Sequence, residues 1–229
     1  MSAGYQFFHA LWLSLAVSGI AALIAALIGI PLGAALSEFR FTGRRAILTI
    51  VHAFMGLPPV VVGLYTFLVI MRSGPLGTLN LVYSPTAMVL VQVVLATPIV
   101  AGFTHASLED VDPRLGMQAL SLGATRVQAM LVEAREARAG IVAAVIAGFG
   151  RVIAEVGAVT IVGGAINGKT DTITTLIVKQ ARGQGHYATA VALGFVLILI
   201  SIIVNVFLTR LQSEGGRREF EKRVTGYVD

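Results

Sequence analysis

The sequence predicts an all-α integral membrane protein with five transmembrane helices. Three observations predict it. Of its 229 residues, 56% are apolar and only 13% charged, with a mean hydropathy of +0.84; soluble domains carry about 25% charged residues. The apolar residues fall in five long runs, each near the roughly 20 residues a helix needs to cross about 30 Å of hydrocarbon. The basic residues lie between those runs and gather on alternate connections, as the positive-inside bias requires.

Residues 1–37 contain no Lys, Arg, Asp or Glu, so the first span lies within Phe7–Leu36, with Pro31 near its end. The run is too long for a cleavable signal and no basic region precedes it. A charged loop, Glu38–Arg45, leads to a second span, Ala46–Met71. Gly56-Leu57-Pro58-Pro59 interrupts it, and two successive prolines remove two amide donors and should kink or break the helix. Gly74-Pro75 and Gly77 mark the next loop as turns. Pro85–Ala106, with Thr97-Pro98 inside, is the third span, Ile141–Ile166 the fourth and Ala188–Leu211 the fifth. The loop Asn167–Tyr187 has room for a short helix, Asp171–Gln180. Residues 1–211 therefore form the membrane domain, with a polar loop at 107–140, and 212–229 form a basic tail, a frayed helix or disordered.

Twelve of the 17 basic residues lie on one side: Arg40, Arg44 and Arg45, then four in the polar loop, then five from Arg210 onward. Arg72, Lys169, Lys179 and Arg182 lie on the other, and Arg151 falls inside a span. The N-terminus is therefore expected outside, with the polar loop and C-terminus in the cytoplasm. The same topology accounts for a pI near 10.0 without nucleic acid as a partner. The chain has no cysteine, hence no disulfide and no thiolate metal site. His9, His52, His105 and His186 sit on separate segments without metal-ligand spacing, and no serine lies in a Gly-x-Ser-x-Gly elbow. No nucleophile–base pair or metal cluster of the kind an intramembrane enzyme needs is evident in the sequence.

The only long polar interlude is Asp112–Ile141. Asp112 and Pro113 suit an N-cap and first turn, Gly123 a left-handed helix stop, and Thr125 the cap of a second, charged helix holding Glu133, Arg135, Glu136 and Arg138. A helix, glycine turn and helix between spans is a shape that docks into another protein, or else an amphipathic surface pair. The stretch resembles the cytoplasmic loop of ABC importer permeases, whose pattern is Glu-Ala-Ala, three residues, Gly, nine residues, Ile-x-Leu-Pro. Met117-Gln118-Ala119 falls on Glu-Ala-Ala and Gly123 on the Gly, and Ala124, Thr125 and Arg126 continue it. Met117 replaces the acid, and Glu133, Arg135 and Glu136 replace Ile, Leu and Pro. Losing that proline favours a continuous helix.

Arg151 and Glu155, four apart, are read as sharing a helix face about 15 Å into the fourth span. Charge at that depth either pairs internally or lines a pathway. Gly150-Arg151-Val152-Ile153-Ala154-Glu155-Val156-Gly157-Ala158 resembles the matching span of tungstate- and molybdate-importing permeases, and Val162–Thr170 continues the resemblance. Thr160, Gly163, Gly164 and Asn167 supply hydroxyl, amide or backbone groups for an anion path, or simply close helix packing. Thr170, Thr172, Thr174 and Thr175 read as helix caps and solvated loop hydroxyls. Gly168-Lys169-Thr170 is no phosphate-binding P-loop, since the earlier glycine is not at the required spacing.

The resemblance covers roughly Leu11–Leu211, and Arg135-Glu136-Ala137-Arg138 is similar to the tungstate branch. It implies the ABC type I importer permease fold, an inner-membrane homodimer surrounded by lipid, two cytosolic ATPase subunits and an extracytoplasmic oxyanion-binding protein. It implies import of tungstate, with molybdate or sulfate as alternatives. ATP and Mg would reside on the ATPase, with no cofactor and no catalysis in this chain. A passive anion channel is the rival reading, separated by whether transport needs ATP.

Overall fold

The computed structural model describes residues 3–183 and 187–225. Its ordered elements are helices, a short 3₁₀ turn at Gly77–Leu79 and a π turn at Lys179–Gly183. Helix α1 runs Ala3–Glu38, continuing through Pro31. Helices α2 (Arg44–Met55) and α3 (Pro59–Ile70) are the two halves of the second apolar run. They meet at 104°, so the double proline makes a corner rather than a kink. Pro58 is the extended N-cap of α3 and Pro59 its first residue, where the missing amide donor costs nothing.

Helix α4 (Pro85–Glu109) is the central post, packing against α1, α2, α3, α7 and α8. Ser84 caps it by accepting the Ala87 amide, and Thr97 returns its hydroxyl to the Val93 carbonyl just before Pro98. Contact with α1 is close because Gly29 and Gly33 carry no side chain: a Cβ at Gly33 would lie 2.5 Å from the Ala101 carbonyl oxygen. Small residues let helices approach and gain dispersion contacts that lipid does not supply. The core between α4 and its neighbours is built from Met88, Val91, Ala96, Val100, Ala144, Val152, Val159 and Val162.

Helices α5 (Pro113–Ser121) and α6 (Arg126–Glu136) form the polar loop. Helix α7 (Arg138–Ile153) returns into the membrane and is followed, at a 61° bend, by α8 (Gly157–Gly163). Helix α9 (Ile173–Val178) leads into the π turn, and α10 runs Tyr187–Thr225. Among the described residues three helices are long and apolar enough to cross a bilayer alone, and counting each bent pair as one span gives five.

Several expectations change. The loss of proline at Glu136 does not produce a continuous helix: Ala137 separates α6 from α7. The fourth span is not one helix but opens at Ala154–Val156. Glu155 therefore lies in the break and not on the helix face of Arg151. The short helix expected at Asp171–Gln180 is Ile173–Val178. Helix extends past Leu211 to Thr225, and His186 lies outside the described residues.

Candidate functional site

The polar loop is fixed by local chemistry. Asp112 Oδ1 accepts the Arg114 amide at 2.9 Å, capping α5 with Pro113 as its first residue. At the other end Gly123 takes φ +89°. Its amide donates to the Leu120 carbonyl and the Ala124 amide to the Ala119 carbonyl, both at 3.0 Å. That pair of bonds is a Schellman stop, and it needs a residue tolerant of the left-handed region at Gly123. Thr125 and Gln128 then form a reciprocal capping box, and Arg126 is the first residue of α6.

Gly116 is buried against the Glu133 carboxylate, which fixes α5 on α6. Burial pushes the Glu133 carboxyl above its ordinary value, and the nearby Glu38 charge pushes the same way. The loop's outer surface carries large apolar side chains among its polar ones. Met117 is 59% exposed, Leu122 89% and Val127 66%. Arg114, Met117, Gln118, Ser121 and Leu122 line a shallow depression of about 500 Å³. Gln118, Gly123, Thr125 and Arg126 are exposed beside it, and Ala119 and Ala124 are half-buried beneath. Exposed apolar patches on a polar loop are characteristic of interaction surfaces.

The second candidate region is the break between α7 and α8. A bend at membrane depth frees backbone groups that lipid cannot satisfy. Here side chains satisfy them. Arg151 Nη1 donates to Glu155 Oε2 at 2.8 Å, and Glu155 Oε1 accepts the Ala158 amide at 3.1 Å, closing the first turn of α8. Gln92 Nε2, from α4, donates to the Val152 carbonyl at 3.1 Å. Thr174 Oγ1, from α9, donates to the Glu155 carbonyl at 3.1 Å. Glu155 is buried, whereas the Arg151 side chain is 34% exposed. The pair is thus an internal brace with one partly open end.

Thr160, Gly164 and Asn167 lie on the exposed side of α8 and the loop after it, and Gly163 does not. Gly163 faces Met88, where a Cβ would come within 2.9 Å of Cγ. Gly164, at φ +73°, stops α8 against the ring of Tyr83. The threonines expected to be solvated are all buried. Thr170 accepts the Ile166 amide and donates to the Gly163 carbonyl, and Thr172 and Thr175 form the capping box of α9. Ser14 on α1 accepts the Ile173 amide at 2.9 Å. Lys179 donates to Asp171 Oδ1 at 2.5 Å, to Asn167 Oδ1 at 2.7 Å and to the Ala165 carbonyl, which pins the 164–171 loop to the π turn.

Sequence reasoning missed Gln92, Ser14 and Lys179. Gln92 had a signal: it is the sole amide side chain in an otherwise apolar stretch of α4, and buried amides in membrane helices bond across to a neighbour.

This combination of straight spans, two bent spans and an exposed helix–turn–helix defines the permease subunit of an ABC importer. Residues 25–214 match the family described as the binding-protein-dependent transport system inner membrane component, and the chain belongs to that family. It is 39% identical over 213 residues to a probable anion ABC transporter permease of Haloferax volcanii, covering 89% of this chain and 91% of that one. It is 38% identical over 211 residues to the tungstate uptake system permease TupB of Peptoclostridium acidaminophilum, covering 91% of both. In structure it resembles the inward-facing MetNI methionine ABC transporter, with TM-score 0.76 and 20% identity over 94% of this chain and 99% of that one. A bacterial alginate ABC transporter in complex with its pentasaccharide-bound periplasmic protein gives TM-score 0.74 at 21% identity, over 90% and 78%. At these identities the two structures speak for the fold alone.

Proposed function

We propose that this chain is the permease of an ATP-driven importer of a tetrahedral oxyanion, with tungstate as its substrate. The observation that carries the reading is the exposed apolar helix–turn–helix of α5 and α6, held rigid by the Gly123 stop and the Thr125 capping box. A rigid apolar projection suits a coupling element that transmits motion from an ATPase. Similarity to a tungstate uptake permease supports the choice of substrate. In this reading two copies of residues 1–211 form the membrane domain. Loop 107–140 of each meets one cytosolic ATPase subunit, where ATP and Mg reside, and the 212–229 tail is cytoplasmic. An extracytoplasmic binding protein delivers the oxyanion to the opposite face, the side of the N-terminus.

Arg151 and Glu155 act as a structural brace of the path. Its exposed groups are Thr160, Gly164 and Asn167; the Thr160 hydroxyl and Gly164 amide bond within α8, and the Asn167 side-chain amide supplies a neutral donor instead of a fixed cluster of cations. Such a path holds its ion loosely enough to release it. Cells with and without the chain, given tungstate and molybdate in competition, test the reading by metal uptake. Tungstate uptake should depend on the chain and on ATP, and withstand excess molybdate. Uptake without ATP would make the chain a passive channel, and dominance of molybdate or sulfate would change the substrate.

A further inference from the structure

The connection between α1 and α2 carries arginines that the transport reading does not use. Arg40, Thr42, Arg44 and Arg45, with Phe41 and Gly43, line an open depression of about 620 Å³. Arg44 is engaged within the chain. Its Nη2 donates to Glu109 Oε1 and its Nε to the Leu36 carbonyl, each at 2.5 Å. Arg40 and Arg45 are exposed and have no carboxylate partner among the described residues.

The Arg44–Glu109 pair also sets the depth of the depression. Glu109 ends α4, whose 25 residues rise roughly 36 Å from Pro85. A bilayer measures about 30 Å across its hydrocarbon and 40–45 Å with headgroups. With α4 set across the bilayer, its length puts the Glu109 end and the arginines beside it at headgroup level. Phe39 and Phe41, on either side of Arg40, are both exposed, as are Ile47 and Ile50 in α2. Gly43, at φ +99°, turns the chain into α2 with no side-chain cap; the Arg44 amide donates to the Phe41 carbonyl, and the Arg45 and Ala46 amides add donors at the start of the helix.

We propose that Arg40 and Arg45 form a binding site for the phosphate of an anionic phospholipid of the surrounding membrane, with Phe39 and Phe41 beside the headgroup. Guanidinium groups suit this ligand because their forked donors match two phosphate oxygens. Interleaved aromatic residues favour a lipid over a soluble anion, since a free phosphate gains nothing from Phe39 and Phe41. The proposal rests on the reading of the chain as a bilayer-spanning permease, but not on its substrate.

The test is retention of phosphatidylglycerol against phosphatidylcholine by the purified full-length chain in mixed micelles, read by native mass spectrometry. Phosphatidylglycerol should be retained in preference. Arg40→Gln and Arg45→Gln should each weaken its retention about fivefold, and together roughly thirtyfold, from the usual increment of a basic side chain at an anionic membrane surface. Arg72→Gln, in the loop after α3, should leave it unchanged. Equal retention by the double variant and the wild type overturns the proposal, as does no preference between the two lipids. Inorganic phosphate that binds alone and displaces phosphatidylglycerol equally well makes the site one for a soluble anion and overturns the lipid. Micelles expose both faces and need no ATPase, so a wrong sidedness or substrate fails in the labelling and uptake experiments and leaves this one standing.

Discussion

A single backbone angle fixes the shape of the polar loop. At φ +89° Gly123 occupies the region that β-branched residues avoid, at a cost of about 1–3 kcal/mol. No neighbour lies within 4 Å of a Cβ built there, so crowding adds nothing within the chain. Gly123→Val should thus leave the spans folded, distort the turn and project into the ATPase. Co-purification of the ATPase with equal amounts of wild type and variant measures this, and equal recovery would remove the loop as the coupling site. Arg126→Ala should weaken recovery less. Glu133 gives a second test. Its carboxyl is held above the ordinary glutamate value by burial and then by Glu38, so the folded state holds a proton that the unfolded state releases. The folded loop should lose stability as pH rises from the ordinary glutamate value through the raised one. Above that window the loss is constant. Glu133→Gln should flatten that stretch of a thermal-unfolding pH profile and raise the midpoint at neutral pH. A profile parallel to the wild type would show that the carboxyl is not strained by its surroundings.

At the scale of elements, the bent α7–α8 pair is braced from both sides. Removing one partner of the ion pair leaves an uncompensated charge, costing about 3–5 kcal/mol where burial is deep. Arg151→Ala leaves the buried Glu155 carboxylate unpaired, whereas Glu155→Ala leaves the partly open Arg151, so Arg151→Ala should be the costlier change. Both should lower the amount of assembled protein seen by size-exclusion chromatography. Normal assembly with lost transport would instead make the pair part of the path. Thr174→Val removes the donor to the Glu155 carbonyl and should cost about 1 kcal/mol, whereas Thr174→Ser keeps it. Equal thermal midpoints for the two variants would show that the bond contributes nothing. Periodicity and composition disclosed the apolar runs, the break at Pro58-Pro59 and the caps at Asp112, Gly123 and Thr125, because each is a local signal. The break at Ala154–Val156 was not legible. It has no proline, and it is stabilised by Gln92 and Thr174, which lie 60 and 19 residues from their acceptors. Reasoning from the missing proline at Glu136 failed for a related reason: Ala137 can adopt a turn that no residue type announces.

For the whole molecule the central expectation is sidedness. Cysteines introduced at Ser73 and Ser121 should label from opposite faces of intact cells, and labelling of both from one face would overturn the five-span arrangement. The native chain carries its own version of that experiment, because it has only three lysines: Lys169, Lys179 and Lys222. Lys169 is exposed in the pinned loop, while all three N–H bonds of Lys179 are directed at oxygens. An acylating reagent needs a free nitrogen lone pair, and reaction at Lys179 would leave buried Asp171 without its counter-charge. A membrane-impermeant reagent applied outside should therefore mark Lys169 quickly and Lys179 slowly. Lys222, in the tail expected to be cytoplasmic, should be marked only once the membrane is opened. Peptide mass mapping of one untagged, unmutated protein would then read both its orientation and the integrity of its outer loop.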